Sequence, residues 1–180
     1  AVTVQAQAGP VIVQVQPGAS PTGQYRKFEV TFQVTQTVAK NLDFPYDPTP
    51  PPGVPAGVGI SVDGLFSHDD WKTVIEQPAF LYQEYERGLH PDGNQQNEIL
   101  YPVGAPVWKV RFAPQQTGTW RFRLRATDAQ GTAYYPAQGD LSFEVIRSDS
   151  RGFIRKSSTD PRYFEFSDGK PFVSVGHDQI

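Results

Sequence analysis

The sequence of 180 residues contains no cysteine, no methionine and only three histidines. Without cysteine there is no disulfide framework, no thiolate nucleophile and no cysteine-based metal site. No apolar run approaches the ~20 residues of a membrane-spanning helix, so we expect no membrane insertion. The lack of an initiating methionine indicates a processed or excised chain. Such a chain would have lost any signal peptide, so the absence of one leaves the compartment open.

Excess positive charge is also missing. The formal net charge is -3 and the isoelectric point is near 5.6. These values argue against a surface for nucleic acid or for an acidic membrane, because both ligands select clustered basic side chains. We therefore expect no nucleic-acid partner.

Glycine, proline and aromatic residues are abundant, with 16 Gly, 17 Pro and 13% aromatic residues. This composition predicts many turns and a core that is rich in rings. The dominant pattern is period two, which is typical of antiparallel strands with one buried face. In 28–35, for example, Phe28, Val30 and Phe32 alternate with polar residues. The predicted strands include 11–16, 28–35, 107–112, 120–127 and 141–146.

Two of these segments make specific predictions about faces. Val11, Val13 and Val15 are expected on one face of their strand, opposite Ile12. In 120–127 the large apolar side chains alternate with a row of arginines. With seven to nine short strands expected before residue 147, the pattern favours a two-sheet β-sandwich over 1–147, followed by a linker and hairpin over 148–180.

Two other segments depart from the strand pattern. Residues 67–77 are the best helical candidate, with Ser67 as a possible N-cap, but Pro78 limits them to one turn at most. Residues 43–57 carry six prolines and are expected to form a rigid surface loop, because proline donates no hydrogen bond to a sheet. Residues 88–98 read as a polar loop.

Trp120 follows a Gly118-Thr119 step, as an aromatic residue does at the corner that leads into a late strand of immunoglobulin-like domains. Two residues later, where antibody domains carry a cysteine, the sequence has Phe122. The ring is expected to fill the core in place of the disulfide. The alternative is an ordinary strand after a turn.

Three stretches, 25–32, 108–132 and 150–176, resemble the DUF5060 family. The most specific of them contains GFIR followed by PRYFEF, DG and PF. The resemblance covers roughly 25–180 and implies the N-terminal immunoglobulin-like domain of an exported, extracellular or cell-surface, bacterial glycoside-hydrolase-like protein. It leaves 1–24 and the proline-rich insertion at 43–59 unexplained.

The same resemblance implies that 163–176 form a hairpin that leads into a TIM barrel, the catalytic domain of the same polypeptide. Asp168-Gly169 predicts a type I′ turn. His177, Asp178 and Gln179 would then follow the first barrel strand, at the end where barrel sites lie, although without the other strands we expect no site there. We expect 163–176 to pack on the sandwich or on a second copy of the chain.

Aromatic residues in or near loops are candidates for stacking on sugars. The carbohydrate-binding candidates are Trp71, Tyr82, Tyr85 and Tyr101, with Tyr82 and Tyr85 on opposite strand faces. Further candidates for such a role are Tyr46, Phe80, Tyr134 and Tyr135. The alternative is that these rings plug the ends of the sandwich or dock on the barrel.

Other chemistry is less well supported by the sequence. Glu84 and Glu86 are two residues apart and share a strand face, but we expect them, like Glu29, Glu144 and Glu165, to be solvated or ion-paired strand residues. We expect no cofactor, and a structural calcium ion is the alternative. Its oxygen ligands would come from Asp43, Asp47, Asp63, Asp69 and Asp70, whereas His68, His90 and His177 are too scattered for zinc.

The row of Arg121, Arg123 and Arg125 suggests either an anionic glycan such as a uronate or ion pairs with neighbouring strands. Taken together, the sequence predicts a non-catalytic accessory domain that supports or orients a catalytic barrel on polysaccharide. The parent protein would be the hydrolase. The alternatives are an independent carbohydrate-binding module and a structural spacer or adhesion domain.

Overall fold

The computed structural model describes residues 9–89, 98–174 and 176. All the regular secondary structure in these ranges is β-strand, which confirms the all-β class. Among the described residues, ten strands precede residue 147, where seven to nine were expected. The strands are β1 (Val11–Pro17), β2 (Thr22–Gly23), β3 (Phe28–Thr35), β4 (Ser61–Ser67), β5 (Ile75–Pro78), β6 (Phe80–Leu89), β7 (Glu98–Phe112), β8 (Gly118–Asp128), β9 (Gly131–Tyr135), β10 (Leu141–Ile146), β11 (Ile154–Lys156), β12 (Phe164–Phe166) and β13 (Pro171–Phe172).

The strands form three sheets. One has four strands in the order β1-β3-β7-β6, and the larger sheet has the order β2-β10-β8-β4-β5 with β9 also paired to β8. The third sheet has the order β11-β12-β13. Neighbouring strands are antiparallel except β2 and β10, which run parallel. Within the described ranges the structure has no helix that is long and apolar enough to cross a bilayer.

The first two sheets share one core built from aromatic rings. Phe28 of β3 stacks on Phe143 of β10, with ring centroids 3.8 Å apart. Phe66 of β4 stacks on Phe112 of β7 at 4.1 Å. Each pair joins one sheet to the other, so the apolar faces predicted for these strands meet across the core.

Strand β8 follows its predicted alternation. Trp120, Phe122 and Leu124 are buried in the core, and the arginines between them lie on the outer face. The indole N–H of Trp120 donates to the carbonyl of Gln116 at 2.9 Å. This bond satisfies the one polar group of a fully buried ring, and Phe122 fills the core beside Phe28.

Strand β1 differs from the prediction. Ile12, not the valine series, is buried, and Val11 is exposed. The pairing with β3 shifts between Val13 and Gln16, and Gln14 has a φ of 53°. This bulge changes the phase of the alternation, so that Val15 beyond it packs on the core with Ile12.

The non-strand segments agree in part with the sequence. The expected helical segment 67–77 contains no helix: Ser67 ends β4, 68–73 form bends and turns, and 75–77 belong to β5. The proline-rich loop contains no strand, as predicted, and lies mostly exposed. It is tied to β4 through a bond from the N–H of Ile60 to the carbonyl of Phe44 at 2.9 Å.

Strands β6 and β7 extend beyond the core as a two-stranded arm. Glu84–Leu89 pair with Glu98–Val103, and both segments are exposed except for Gly88, which is half-buried. Most of the predicted polar loop at 88–98 joins these strands and lies outside the described residues.

The hairpin of the third sheet forms as predicted, but its turn is of a different type from the one predicted. The loop has three residues, Ser167–Gly169, and the N–H of Gly169 donates to the carbonyl of Phe166 at 2.9 Å. Gly169 has a φ of 80°, whereas Asp168 stays outside the left-handed region. The type I′ prediction is therefore wrong, because a three-residue loop needs a positive φ only at its last position.

The third sheet contacts the larger sheets through the segment that precedes it. The rings of Tyr25 and Phe153 meet edge to face with centroids 5.5 Å apart, and Arg26 forms an ion pair with Asp149. Strands β12 and β13 pair with each other and β12 with β11. The boundary after residue 147 stays a prediction, and His177, Asp178 and Gln179 lie outside the described residues.

Glu165 on β12 was expected on an outward strand position, solvated or ion-paired. It is buried, with 5% of its surface exposed, and it is ion-paired with Arg155 at 3.0 Å. Its carboxylate accepts hydrogen bonds from Ser157 Oγ at 2.8 Å, Arg155 Nε at 3.1 Å and Ser158 Oγ at 3.3 Å. The Ser157 bond is the main reason why the pKa of Glu165 lies below its usual value. Donors from a neighbouring strand and loop make this burial possible, and the alternation along β12 does not reveal them.

Candidate functional site

The four predicted sugar-binding rings do not share one surface. Tyr82 lies on the outer face of the four-stranded sheet, where the ammonium group of Lys109 is 3.9 Å from its ring centroid. Its hydroxyl donates to Glu84 at 2.7 Å, and this bond raises the pKa of Tyr82. A cation already covers one face of this ring, so that face is closed to a sugar.

Tyr85 and Tyr101 belong to the arm and lie on opposite faces of it, since Tyr85 pairs with Pro102 and Tyr101 with Glu86. The ring of Tyr101 packs over Gly88, and its hydroxyl donates to the carbonyl of Leu89 at 3.0 Å. Tyr85 is 51% exposed. The arm therefore presents single rings and no continuous aromatic strip.

Trp71 lies on the outer face of the larger sheet. Its indole N–H donates to Asp140 Oδ2 at 2.8 Å, and the guanidinium group of Arg123 is 4.8 Å from its ring centroid. These two contacts hold the ring over β8 while leaving it half-buried. Of the four predicted rings, Trp71 is the one that the structure surrounds with several fixed polar groups.

The backbone at Trp71 is unusual. Asp70 and Trp71 have φ values of 57° and 66°. Both values lie in the left-handed region, which residues other than glycine seldom adopt. Ser67 Oγ accepts the N–H of Trp71 at 2.9 Å, and Asp69 Oδ1 accepts the N–H of Thr73 at 2.9 Å. The Thr73 bonds lower the pKa of Asp69 to about 2. This turn holds the indole on the outer face at a cost in backbone strain.

The arginine row is neutralised by carboxylates. Arg121 lies 3.1 Å from Asp70, and Arg123 pairs with Asp140. Arg125 reaches Asp63 at 2.7 Å and Glu76 at 2.6 Å. The prediction of ion pairs with neighbouring strands is confirmed for Arg125, whose partners lie on β4 and β5, whereas the partners of Arg121 and Arg123 lie in a turn and just before β10. Burial opposes ionisation of Asp140, but the bonds from Trp71 and Arg123 outweigh it and lower its pKa.

Two shallow depressions adjoin this network and share Thr119 and Arg121. One of about 330 Å³ is completed by Asp140 and Ser142. The other, of about 380 Å³, is bordered by His68 and Asp70. Tyr134 lies directly opposite Arg125 on the same outer face. We call this surface the Trp71 face; it comprises Trp71, Tyr134, Arg121, Arg123, Arg125, Asp63, Asp70, Glu76, Asp140, Thr119 and Ser142.

Asp140 is one of the members of this face that the sequence did not indicate, together with Glu76, Thr119 and Ser142. It precedes β10, and it binds two residues that are distant in sequence, Trp71 and Arg123. A single Asp at the start of a strand gives no local signal of such a role.

Most of the candidate ligands of the alternative calcium site bind other groups of the chain. Asp63 and Asp70 bind arginines, and Asp47 Oδ1 accepts the N–H of Thr49 at 2.8 Å. Within residues 9–89, 98–174 and 176, no three His, Asp or Glu side chains are grouped for a metal ion. His68 lies beside Trp120 with ring centroids 5.0 Å apart, whereas His90 and His177 lie outside the described residues.

A family model described as "Domain of unknown function (DUF5060)" matches residues 21–127. The chain belongs to the DUF5060 family. The DUF5060 match runs from β2 into β8 and includes Trp71 and the arginine row. It does not reach the motif at 150–176, so the role implied for that motif stays a prediction. Comparisons with curated proteins and with solved structures find no match to the chain.

Proposed function

We propose that this DUF5060 chain is a non-catalytic, immunoglobulin-like β-sandwich that supports or orients a catalytic barrel on polysaccharide. The barrel would be the next domain of the same exported, extracellular or cell-surface glycoside-hydrolase-like protein. Hydrolysis would belong to the whole protein. The single observation that carries the proposal is the apolar face of the third sheet, on which Ile154 and Phe164 are exposed.

This face is formed by alternate residues of its three strands. The pairs Ile154–Phe166 and Phe164–Phe172 place these four side chains on one side, together with Lys156, which pairs with Phe164. Phe166 and Phe172 are half-buried, and the guanidinium group of Arg151 lies 4.1 Å from the ring centroid of Phe166. Phe164 is 54% exposed and Ile154 is also exposed, whereas Glu165 on the opposite side is buried. A small sheet is stabilised when its apolar face is covered by another layer, so this arrangement suits a sheet that docks on a following domain.

The immunoglobulin-like part of the proposal is supported by the two larger sheets and by the corner at Trp120. Rings from both sheets interdigitate in one core, as in two-sheet sandwiches. The bond from Trp120 to the carbonyl of Gln116, four residues upstream, has the form of the aromatic corner that opens a late strand of such domains.

The test replaces one exposed phenylalanine on each of two surfaces in the parent protein. Phe164→Asp alters the proposed docking face, and Phe44→Asp in the proline-rich loop is the matched control, since Phe44 is 53% exposed. We expect Phe164→Asp to separate the thermal unfolding of the two domains and to lower polysaccharide hydrolysis. Phe44→Asp should change neither.

Calorimetry and activity assays give the readout. Equal behaviour of the two variants would contradict docking and favour the spacer or adhesion alternative. A parent gene that encodes no barrel after Ile180 would contradict the proposal as a whole.

A further inference from the structure

The Trp71 face combines an oriented aromatic ring with fixed donors and acceptors. We propose that it binds a neutral polysaccharide chain, with Trp71 stacked on a sugar ring. The inference rests on the proposed function in one respect, which is the expectation that the parent protein acts on polysaccharide. It places the binding surface on the larger sheet instead of on the tyrosines of the arm.

The first support is the way Trp71 is held. Two consecutive left-handed residues, Asp70 and Trp71, place the indole outside the core, although core packing would not require this geometry. Strained backbone that persists is often linked to function. Arg123 covers one face of the ring, as Lys109 does at Tyr82, so a sugar would stack on the other face. The side chain is half-buried and keeps part of its surface open. The apolar C–H face of a pyranose fits such a ring, because its C–H groups point at the electron-rich face.

The second support is the polar pattern around the ring. A sugar hydroxyl donates one hydrogen bond and accepts others, so it needs carboxylate and guanidinium groups side by side. Asp140 binds Trp71, Arg123 and, at 3.7 Å, Arg121, which fixes these groups before any ligand arrives. Groups that are already ordered lose little conformational entropy on binding.

The third support is the shape of the surface. Arg121 and Arg125 are four steps apart along the strand, a distance of about 13 Å at the usual rise per residue. The two depressions lie at the Arg121 end, and Tyr134, 48% exposed, lies beside Arg125 at the other end. The face therefore offers a track for several sugar units, with one aromatic ring above Arg123 and a second at its end.

Charge decides between neutral and anionic glycans. The guanidinium groups of the row are outnumbered by the carboxylates that pair with them, since Asp63, Asp70, Glu76 and Asp140 face Arg121, Arg123 and Arg125. A uronate would meet carboxylates at each arginine and would have to displace existing ion pairs. A neutral chain is not repelled by the carboxylates and does not have to displace the ion pairs.

The test titrates the chain with hydroxyethylcellulose, arabinoxylan and galactomannan as neutral polymers and with polygalacturonate as the anionic one. Isothermal calorimetry gives affinity. Acrylamide quenching reports on Trp71, because Trp108 and Trp120 are buried in the core. We expect at least one neutral polymer to bind and to protect Trp71 from quenching.

Variants locate the site. Trp71→Ala and Tyr134→Ala should each weaken binding by about tenfold or more, a loss of about 1.4 kcal/mol. Tyr85→Ala, on the arm, is the matched control and should bind as the original chain does. Tyr134 is exposed, so its variant keeps the test valid even if Trp71→Ala fails to fold.

Three results would overturn the inference: no binding to any neutral polymer, preference for polygalacturonate, or loss of binding in Tyr85→Ala but not in Trp71→Ala and Tyr134→Ala. None of them affects the outcome for Phe164→Asp in the parent protein. The saccharide site and the proposed docking role therefore fail separately.

Discussion

Strands β8 and β12 both alternate large apolar side chains with charged ones, but they bury opposite sets. β8 buries Phe122 and leaves Arg123 on the outer face, whereas β12 buries Glu165 and leaves Phe164 exposed. The alternation determines which side chains share a face. Which face is covered depends on the next layer, and β8 has the four-stranded sheet as that layer while the apolar face of β12 has none among the described residues.

The largest difference is expected when a ring is removed from each strand. Phe122→Ala should lower the free energy of unfolding by about 3–5 kcal/mol, because it leaves a cavity among the rings of the core. Phe164→Ala, the matched change on β12, should alter it by no more than about 0.5 kcal/mol, because that ring is exposed. Urea denaturation of the chain measures both values. Similar losses in the two variants would show that Phe164 is covered in solution, for example by a second copy.

A buried carboxylate gives the next largest effect. Asp128, at the end of β8, is 1% exposed and accepts hydrogen bonds from Thr37 Oγ1 at 2.7 Å, Gln130 N at 2.8 Å and Val38 N at 3.0 Å. Asp128→Ala should cost about 1–3 kcal/mol, because these part-buried donors lose their acceptor. Asp47→Ala, in the exposed proline-rich loop, is the control and should change stability far less.

The same carboxylate has a predictable pH dependence. Burial alone would raise the pKa of Asp128, but the Thr37 hydroxyl and the surrounding N–H groups outweigh it and lower the pKa. A lowered folded-state pKa gives stability that is complete above the unfolded value of about 3.9 and is lost as the pH falls through the folded value. The free energy of unfolding, measured by denaturation at a series of pH values from neutral to strongly acidic, should therefore depend less on pH in Asp128→Ala than in the original chain. An unchanged slope would contradict this role.

Local patterns account for the parts of the fold that were predicted correctly. The faces of β3, β8 and β10 follow from alternation, and the proline-rich loop follows from the missing N–H groups of proline. The bulge at Gln14, the burial of Glu165 and the position of Asp140 beside Trp71 depend on contacts between distant segments. Of the predicted sugar-binding rings, the structure surrounds Trp71 with a polar network. Tyr82 lies on the outer face of the four-stranded sheet, and Tyr85 and Tyr101 lie on the arm that projects beyond the core.

The smallest effect concerns the link between the third sheet and the larger sheets. The edge-to-face contact of Tyr25 with Phe153 joins them, and Phe166 with Phe172 forms a similar contact inside the third sheet at 5.4 Å. A double-mutant cycle of Tyr25→Leu and Phe153→Leu should give a coupling of about 0.5–1.5 kcal/mol in global unfolding. The Phe166→Leu and Phe172→Leu cycle is the geometric control.

The two cycles together show whether the third sheet unfolds with the rest of the chain. Coupling in both means that the sheets unfold as one unit, which we expect because Ser148 and Gln24 add a hydrogen bond of 2.6 Å beside the Tyr25 contact. Absence of the Tyr25–Phe153 coupling would contradict this expectation. The third sheet would then open on its own, and its apolar face would need the proposed following domain for stability as well as for orientation.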